Sequence, residues 1–145
     1  MSSLPPNLQD VFADLEMVGE SGRQMYLIDY SDRFEDVPSH VAQRPYPEEH
    51  HVKECESDAY VFYEKRPDGR LNFHFAVENP QGVSARAFSK ILKETVDGQP
   101  LELIEALPED LVQRLFGRGI SMGKGMGLMG ILNMVKYFAR RHMGH

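Results

Sequence analysis

Cysteine is all but missing from this chain, which has a single one, Cys55, among 145 residues. A lone thiol cannot close an internal disulfide, and it excludes zinc and iron–sulfur sites that need several thiolates. Long apolar runs are missing as well. No stretch approaches the ~20 residues of a membrane-spanning helix, and Met1-Ser-Ser-Leu-Pro-Pro6 lacks the basic and apolar regions of a signal peptide. The expectation is a cytoplasmic protein. The third shortage is of positive charge. At a formal net charge of −6 the chain has no clustered cationic face to release counterions from a polyanion. Lys136, Arg140 and Arg141 do gather near the C-terminus, where cations complement the negative end of a terminal helix. Neither nucleic acid nor membrane is an expected partner.

What is present suits a folded domain. Hydrophobic residues are 41% and charged residues 26% of the chain, near globular averages. The length predicts one domain, residues 1–145, with its own core.

Along the chain, Leu8, Val11, Phe12 and Leu15 recur at helical spacing within residues 7–16, with Asn7 as an N-cap after Pro5 and Pro6. A second helix is expected from near Gly19 to about Phe34. Pro38, Pro45 and Pro47 then forbid regular structure and predict a surface loop over residues 35–49. Three extended segments follow, at residues 51–55, 59–65 and 70–77. The last two are rich in β-branched and aromatic residues and are joined by the turn signal Pro67-Asp68-Gly69. Leu71, Phe73, Phe75 and Val77 alternate with Asn72, His74 and Ala76, as in a half-buried antiparallel strand. These segments predict a three-stranded meander.

After Gly82 the period becomes helical again. Val83, Ala87, Phe88, Ile91, Leu92 and Val96 form one stripe ending at Asp97 and Gly98. Short helices are expected over residues 101–107 and 108–116, the latter with Pro108 at its first position. Gly117 and Gly119 precede a last helix bearing Leu128, Ile131, Leu132, Val135 and Phe138. The order α-α-β-β-β-α-α-α-α, with all strands consecutive, predicts an α+β fold with helices packed on an antiparallel sheet.

Gly125-Met-Gly-Leu-Met-Gly130 spells the dinucleotide fingerprint but lacks its context. No strand precedes it, and the chain ends before the acidic residue the fingerprint requires. Gly123 and Lys124 fail as a phosphate loop too, because the spacing from Gly117 is wrong and Gly125 follows the lysine. The physical alternative is a helix start whose small residues let another element approach closely, with Met122, Met126 and Met129 as an adaptable apolar surface.

Cys55 lies in Lys53-Glu-Cys-Glu-Ser-Asp58, a polar segment between the proline-rich loop and an apolar strand, so an exposed or half-exposed thiol is expected. His50, His51 and His74 invite a metal reading, but adjacent histidines in an extended segment point to opposite faces. At most one of the His50–His51 pair readily joins Cys55, and no bound metal is expected.

Several segments together resemble the SufE family, sulfur acceptors that stimulate pyridoxal-phosphate-dependent cysteine desulfurases in iron–sulfur cluster assembly. Leu4-Pro-Pro-Asn-Leu8 and Gly22-Arg-Gln-Met-Tyr-Leu-Ile-Asp-Tyr30 are similar to the family's first two helices, and Val37-Pro38 to the end of the second. Val52-Lys-Glu-Cys-Glu-Ser57 followed by Ala59-Tyr-Val-Phe62 resembles its Cys-Gln-Ser/Thr motif and the strand after it. Ala87 to Gly98 resembles its long helix. Ile120-Ser121, Lys124 and Gly127-Leu128 fall where the family has Ser-Pro, a basic residue and Gly-Leu or Gly-Met. Glu56 replaces the usual Gln, Glu54 a frequent Gly, Met122 a proline and Lys124 the usual Arg. A lysine supplies charge without a planar fork.

This resemblance implies the α+β fold shared with the IscU and NifU scaffolds. It also implies that Cys55 is the sulfur acceptor, with Lys53, Glu54, Glu56, Ser57, Arg86 and Lys124 as supporting or partner-binding positions. The implied partners are a SufS-like cysteine desulfurase, which carries the pyridoxal phosphate, and a downstream iron–sulfur scaffold. The chain itself is expected to be no enzyme and to hold no cofactor. Only a thiolate is nucleophilic, and Glu54, Glu56 and Asp58 oppose ionisation wherever they approach the sulfur, while Lys53 favours it. That predicts a resting thiol of low reactivity, activated on docking; the plainer alternative is that these acids only keep a turn soluble. Two other readings stay open: an interaction module with Cys55 incidental, and a thiol enzyme, for which the sequence offers no identifiable base or oxyanion site.

Overall fold

The computed structural model describes residues 4–143. The first element, α1 (Pro6–Asp32), is two helices in one, broken at Gly19, whose φ of 69° and ψ of −175° leave the helical region. The break falls where the sequence divides its two expected helices. Across it, the Tyr26 hydroxyl donates to Asp14 at 2.9 Å. Burial first, then hydrogen bonds with Tyr30 and Asp14, push the Tyr26 phenol upward, so it stays neutral and holds the two halves together.

A loop and a single 3-10 turn (Glu48–His50) lead to the strands β1 (Ala59–Lys65) and β2 (Leu71–Val77). These pair antiparallel, from Ala59 opposite Val77 to Lys65 opposite Leu71. The expected third strand does not form. Residues 51–55 contribute one isolated bridge, His51 to Tyr60. The Val52 N–H then bonds the Ala59 carbonyl, and two successive turns carry the chain away, Cys55 N–H to Val52 O and Asp58 N–H to Cys55 O. Asp58, at a φ of 53°, completes the reversal. A chain that turns every three residues cannot present the alternating donors and acceptors of a ladder.

The proline-rich loop covers the sheet instead. The Val37 N–H bonds the Phe75 carbonyl at 2.8 Å, and Val37, Phe62 and Ala76 form a small cluster with Val41, Ala42, Tyr46 and Tyr60. The opposite face of the sheet enters the main core. There Phe73 and Phe75 meet Phe88, Ile91 and Leu92 of α2 (Val83–Val96). Each such fully buried side chain contributes about 1.5–3 kcal/mol.

Two short helices follow, α3 (Leu101–Glu105) and α4 (Leu111–Phe116), and then α5 (Met122–Arg141). α4 begins three residues later than expected. Pro108 lies outside it, accepting the Leu111 N–H in a turn, and Asp110 occupies the N-cap position. α5 starts where Ser121 caps it, its hydroxyl accepting the Lys124 N–H. The result is an α+β fold with two strands among the described residues. No helix among the described residues is long and apolar enough to cross a membrane.

Candidate functional site

The turns that replace the third strand carry Cys55, and they rest on α5. Gly127 allows the approach: a Cβ there would lie 3.1 Å from the Cys55 Cα and 3.3 Å from the Glu54 carbonyl. One turn on, a Cβ on Gly130 would lie 2.8 Å from Val52 Cγ1. A third glycine seats the other side of the loop, since a Cβ on Gly82 would fall 2.9 Å from the Ser57 Cβ. Contacts under 3.0 Å would overlap van der Waals shells, so larger residues would displace the loop.

Hydrogen bonds complete the mounting. The Glu78 and Asn79 N–H groups donate to the Asp58 and Ser57 carbonyls, each at 3.1 Å. Arg86, near the start of α2, fixes that neighbouring segment by donating to the carbonyls of Val77 at 3.0 Å, Asn79 at 2.8 Å and Pro80 at 3.2 Å. A guanidinium spread over three carbonyls is a rigid clamp.

Seated this way, Cys55 is only 7% exposed. The expectation of an exposed or half-exposed thiol fails, because polar neighbours describe the turn's outer side while α5 covers its inner side. The thiol is not sealed in, however. Cys55, Glu56 and Ser57 line one side of a cleft of about 320 Å³. Asn79, Gln81 and the start of α2 form a second wall, and Gly123, Lys124, Gly127 and Leu128 of α5 a third. The first turns of α2 and α5 thus both line the cleft that holds Cys55.

Of the sequence-derived positions, Glu56, Ser57 and Lys124 share the cleft with Cys55. Lys53, Glu54 and Arg86 do not line it. Glu54 turns to the other side of α5, into a neighbouring groove. Asp58 faces His51, with its carboxylate 3.3 Å from the ring. So of the three acids expected to oppose ionisation, only Glu56 lines the cleft. Asn79, Gln81 and Ser84 are lining residues that the sequence did not single out. They sit in a turn and a first helical turn, and nothing in their pattern separates them from ordinary caps.

The histidines are dispersed. His50 Nδ1 is 2.7 Å from the Val61 carbonyl, His51 lies between Glu48 and Asp58, and His74 is 2.7 Å from Glu64. Among the described residues, no group of three or more His, Cys, Asp or Glu is placed to hold a metal ion.

The chain is similar to known proteins in sequence and in fold. The profile of SufE, described as an Fe-S metabolism associated domain, matches residues 9–139. Two uncharacterized SufE-like proteins from two strains of Mycobacterium tuberculosis are each 28% identical over 114 residues, spanning 79% of this chain and 77% of the relative. The solution structure of a hypothetical protein from Thermus thermophilus has the same fold. It superposes with a TM-score of 0.74 at 20% identity, over 97% of this chain and 98% of that one.

Proposed function

The chain belongs to the SufE family, and we propose that it is a sulfur acceptor whose Cys55 takes the terminal sulfur of a persulfide held by a pyridoxal-phosphate-dependent cysteine desulfurase. The observation that carries this reading is the placement of the only cysteine at a cleft bounded by two helix N-termini, within a match to a family associated with Fe–S metabolism.

The step is an exchange between thiols. The Cys55 thiolate attacks the outer sulfur of the partner's persulfide, a new S–S bond forms at Cys55, and the partner's S–S bond breaks with its cysteine leaving as thiolate. No external oxidant or reductant is consumed. The pyridoxal phosphate stays with the desulfurase, and this chain acts as carrier and activator rather than as an enzyme of its own. The acquired sulfur is bound for an iron–sulfur scaffold, in the reducing cytoplasm where a lone thiol persists.

Within this reading each neighbour has a task. The starts of α2 and α5 bound the cleft, and Lys124 lines it as an exposed positive charge. Glu56 lines the same cleft with the opposite charge. With Cys55 7% exposed, reaction requires the partner to reach into the cleft or to draw the 52–58 loop outward. This gives a physical basis for a thiol that rests quietly and reacts when docked.

Incubating the protein with an active desulfurase and free cysteine, then measuring intact mass, tests the proposal. The expected product carries one added sulfur, lost when Cys55→Ser is used. An unmodified chain beside a desulfurase that is turning over would overturn it.

A further inference from the structure

Behind the Cys55 cleft, on the opposite side of the same helix, lies a larger groove of about 850 Å³. Helical spacing separates the two. Gly123, Lys124, Gly127 and Leu128 face the cleft, whereas Met122, Gly125, Met126, Met129 and Gly130 line the groove. Val112 and Ile120 join the methionines in lining the groove, with Gln113, Ser121 and Asn133 as neutral polar neighbours. Met122 is 83% and Met126 57% exposed, a large loss for side chains that gain by burial.

Its charge has one sign. Glu54, Glu109 and Asp110 line the groove, and no lysine or arginine does. All three acids are exposed. Arg140, Arg114 and Lys136 are engaged elsewhere: Arg140 approaches Glu105, Arg114 stacks on Phe12 and Lys136 bonds the Leu107 carbonyl. The thiol and the groove are joined at the chain itself, because Glu54, which lines the groove, directly precedes Cys55.

We propose that this methionine groove is a second docking site for the desulfurase, and that its occupant is an apolar segment of that partner flanked by lysine or arginine. The inference rests on the sulfur-acceptor reading for the partner's identity. Flexible methionines adapt to a helix or loop without a preformed shape. The carboxylates select for positive charge and speed the encounter, which makes association sensitive to salt. Groove and cleft are separated by one helix diameter, about 10 Å, so a partner gripping the exposed start of α5 can cover both.

The test is a titration of the full-length desulfurase, with dissociation constant and association rate read directly. Two variants probe the two properties: Glu109→Lys with Asp110→Lys, and Met122→Ser with Met126→Ser. Glu16→Lys, an exposed acid on α1 outside the groove, controls for overall charge, and circular dichroism checks folding. Each double variant is expected to weaken binding roughly tenfold, the charge reversal mainly through a slower, less salt-dependent association. The control should stay within about twofold. If either double variant binds within about twofold of wild type, or Glu16→Lys weakens binding as much as the charge reversal, the groove proposal falls. Sulfur loading of Cys55 is measured separately by mass. Binding that depends on the groove without loading would sink the acceptor reading and leave the groove standing.

Discussion

Two polar turns flank β1, and they differ in what holds them. The hairpin tip after Lys65 is held mostly by its own residues, with one outside tie, from the Arg70 guanidinium to the Gly98 carbonyl at 3.0 Å. Gly69 N–H bonds Arg66 O, Arg70 N–H bonds Asp68 Oδ1 at 3.0 Å, and a Cβ on Gly69 would meet nothing within 4 Å. The Cys55 turn before Ala59 is held from outside, by Gly82, Gly127 and Gly130 and by hydrogen bonds from Glu78 and Asn79. Both are dense in charge. One is an ordinary solvated connection, and the other is a tertiary construction whose only apolar side chains, Val52 and Cys55, are buried. Local polarity therefore says little about whether a turn is a surface or a seat.

The largest expected effect is chemical. Cys55→Ser should abolish sulfur loading entirely by intact-mass measurement, while Asp68→Ser at the hairpin tip should load as wild type. Loading that survives Cys55→Ser would remove the functional side of the comparison.

A bulky residue at α5 comes next. Gly127→Leu must push the Cys55 backbone away and is expected to cost about 1–3 kcal/mol in chemical denaturation, with a matching rise in the alkylation rate of Cys55 as the turn lifts. Gly69→Ala only loses the freedom of a φ of 84°, about 1 kcal/mol, and should leave that rate unchanged. Equal alkylation rates in the two variants would break the distinction between seated and free turns.

Arg86→Met should be milder than the α5 substitution in its effect on the thiol. Three carbonyls lose a charged donor, at a cost of about 1.5–3 kcal/mol, and the wall beside Cys55 loosens. Sulfur loading should slow without being lost, and Arg86→Lys should restore only part of it because one ammonium cannot span the three acceptors. Full rescue by lysine would show that charge alone is needed.

The smallest effect concerns the strand side. A hydrogen bond from His74, with charge from His74 and His40, holds the Glu64 carboxyl below its ordinary range. A carboxyl lowered by folding stabilises the fold above its unfolded pKa and loses that contribution as pH falls through the folded one. The stability difference between wild type and Glu64→Gln should therefore shrink on acidification below about pH 4.3. Thermal unfolding of the two proteins across that pH window measures it.

Much of this architecture was legible in the chain. The stripe from Val83 to Val96, the alternation from Leu71 to Val77 and the turn at Gly69 are repeated signals, and repetition fixes a face against the core. Gly19 also marked the division of the first helical region. The third strand was misread because residues 51–55 are too few to display a period, and the start of α4 because Pro108 suits a turn as well as a helix. For the site, the lone Cys55 and the small residues of α5 stood out. Asn79, Gln81 and Ser84 did not, since lining a cleft leaves no periodic trace.

The sequence by itself determined most of the elements, the single thiol and the close approach its glycines permit. Only the tertiary structure decided that Cys55 is what approaches, that Glu54 and Glu56 part to opposite sides of α5, and that Arg86 clamps a wall instead of facing the sulfur. The reason is physical. Periodicity and turn chemistry act between near neighbours in the chain, whereas the burial of one turn depends on which distant surface fits it.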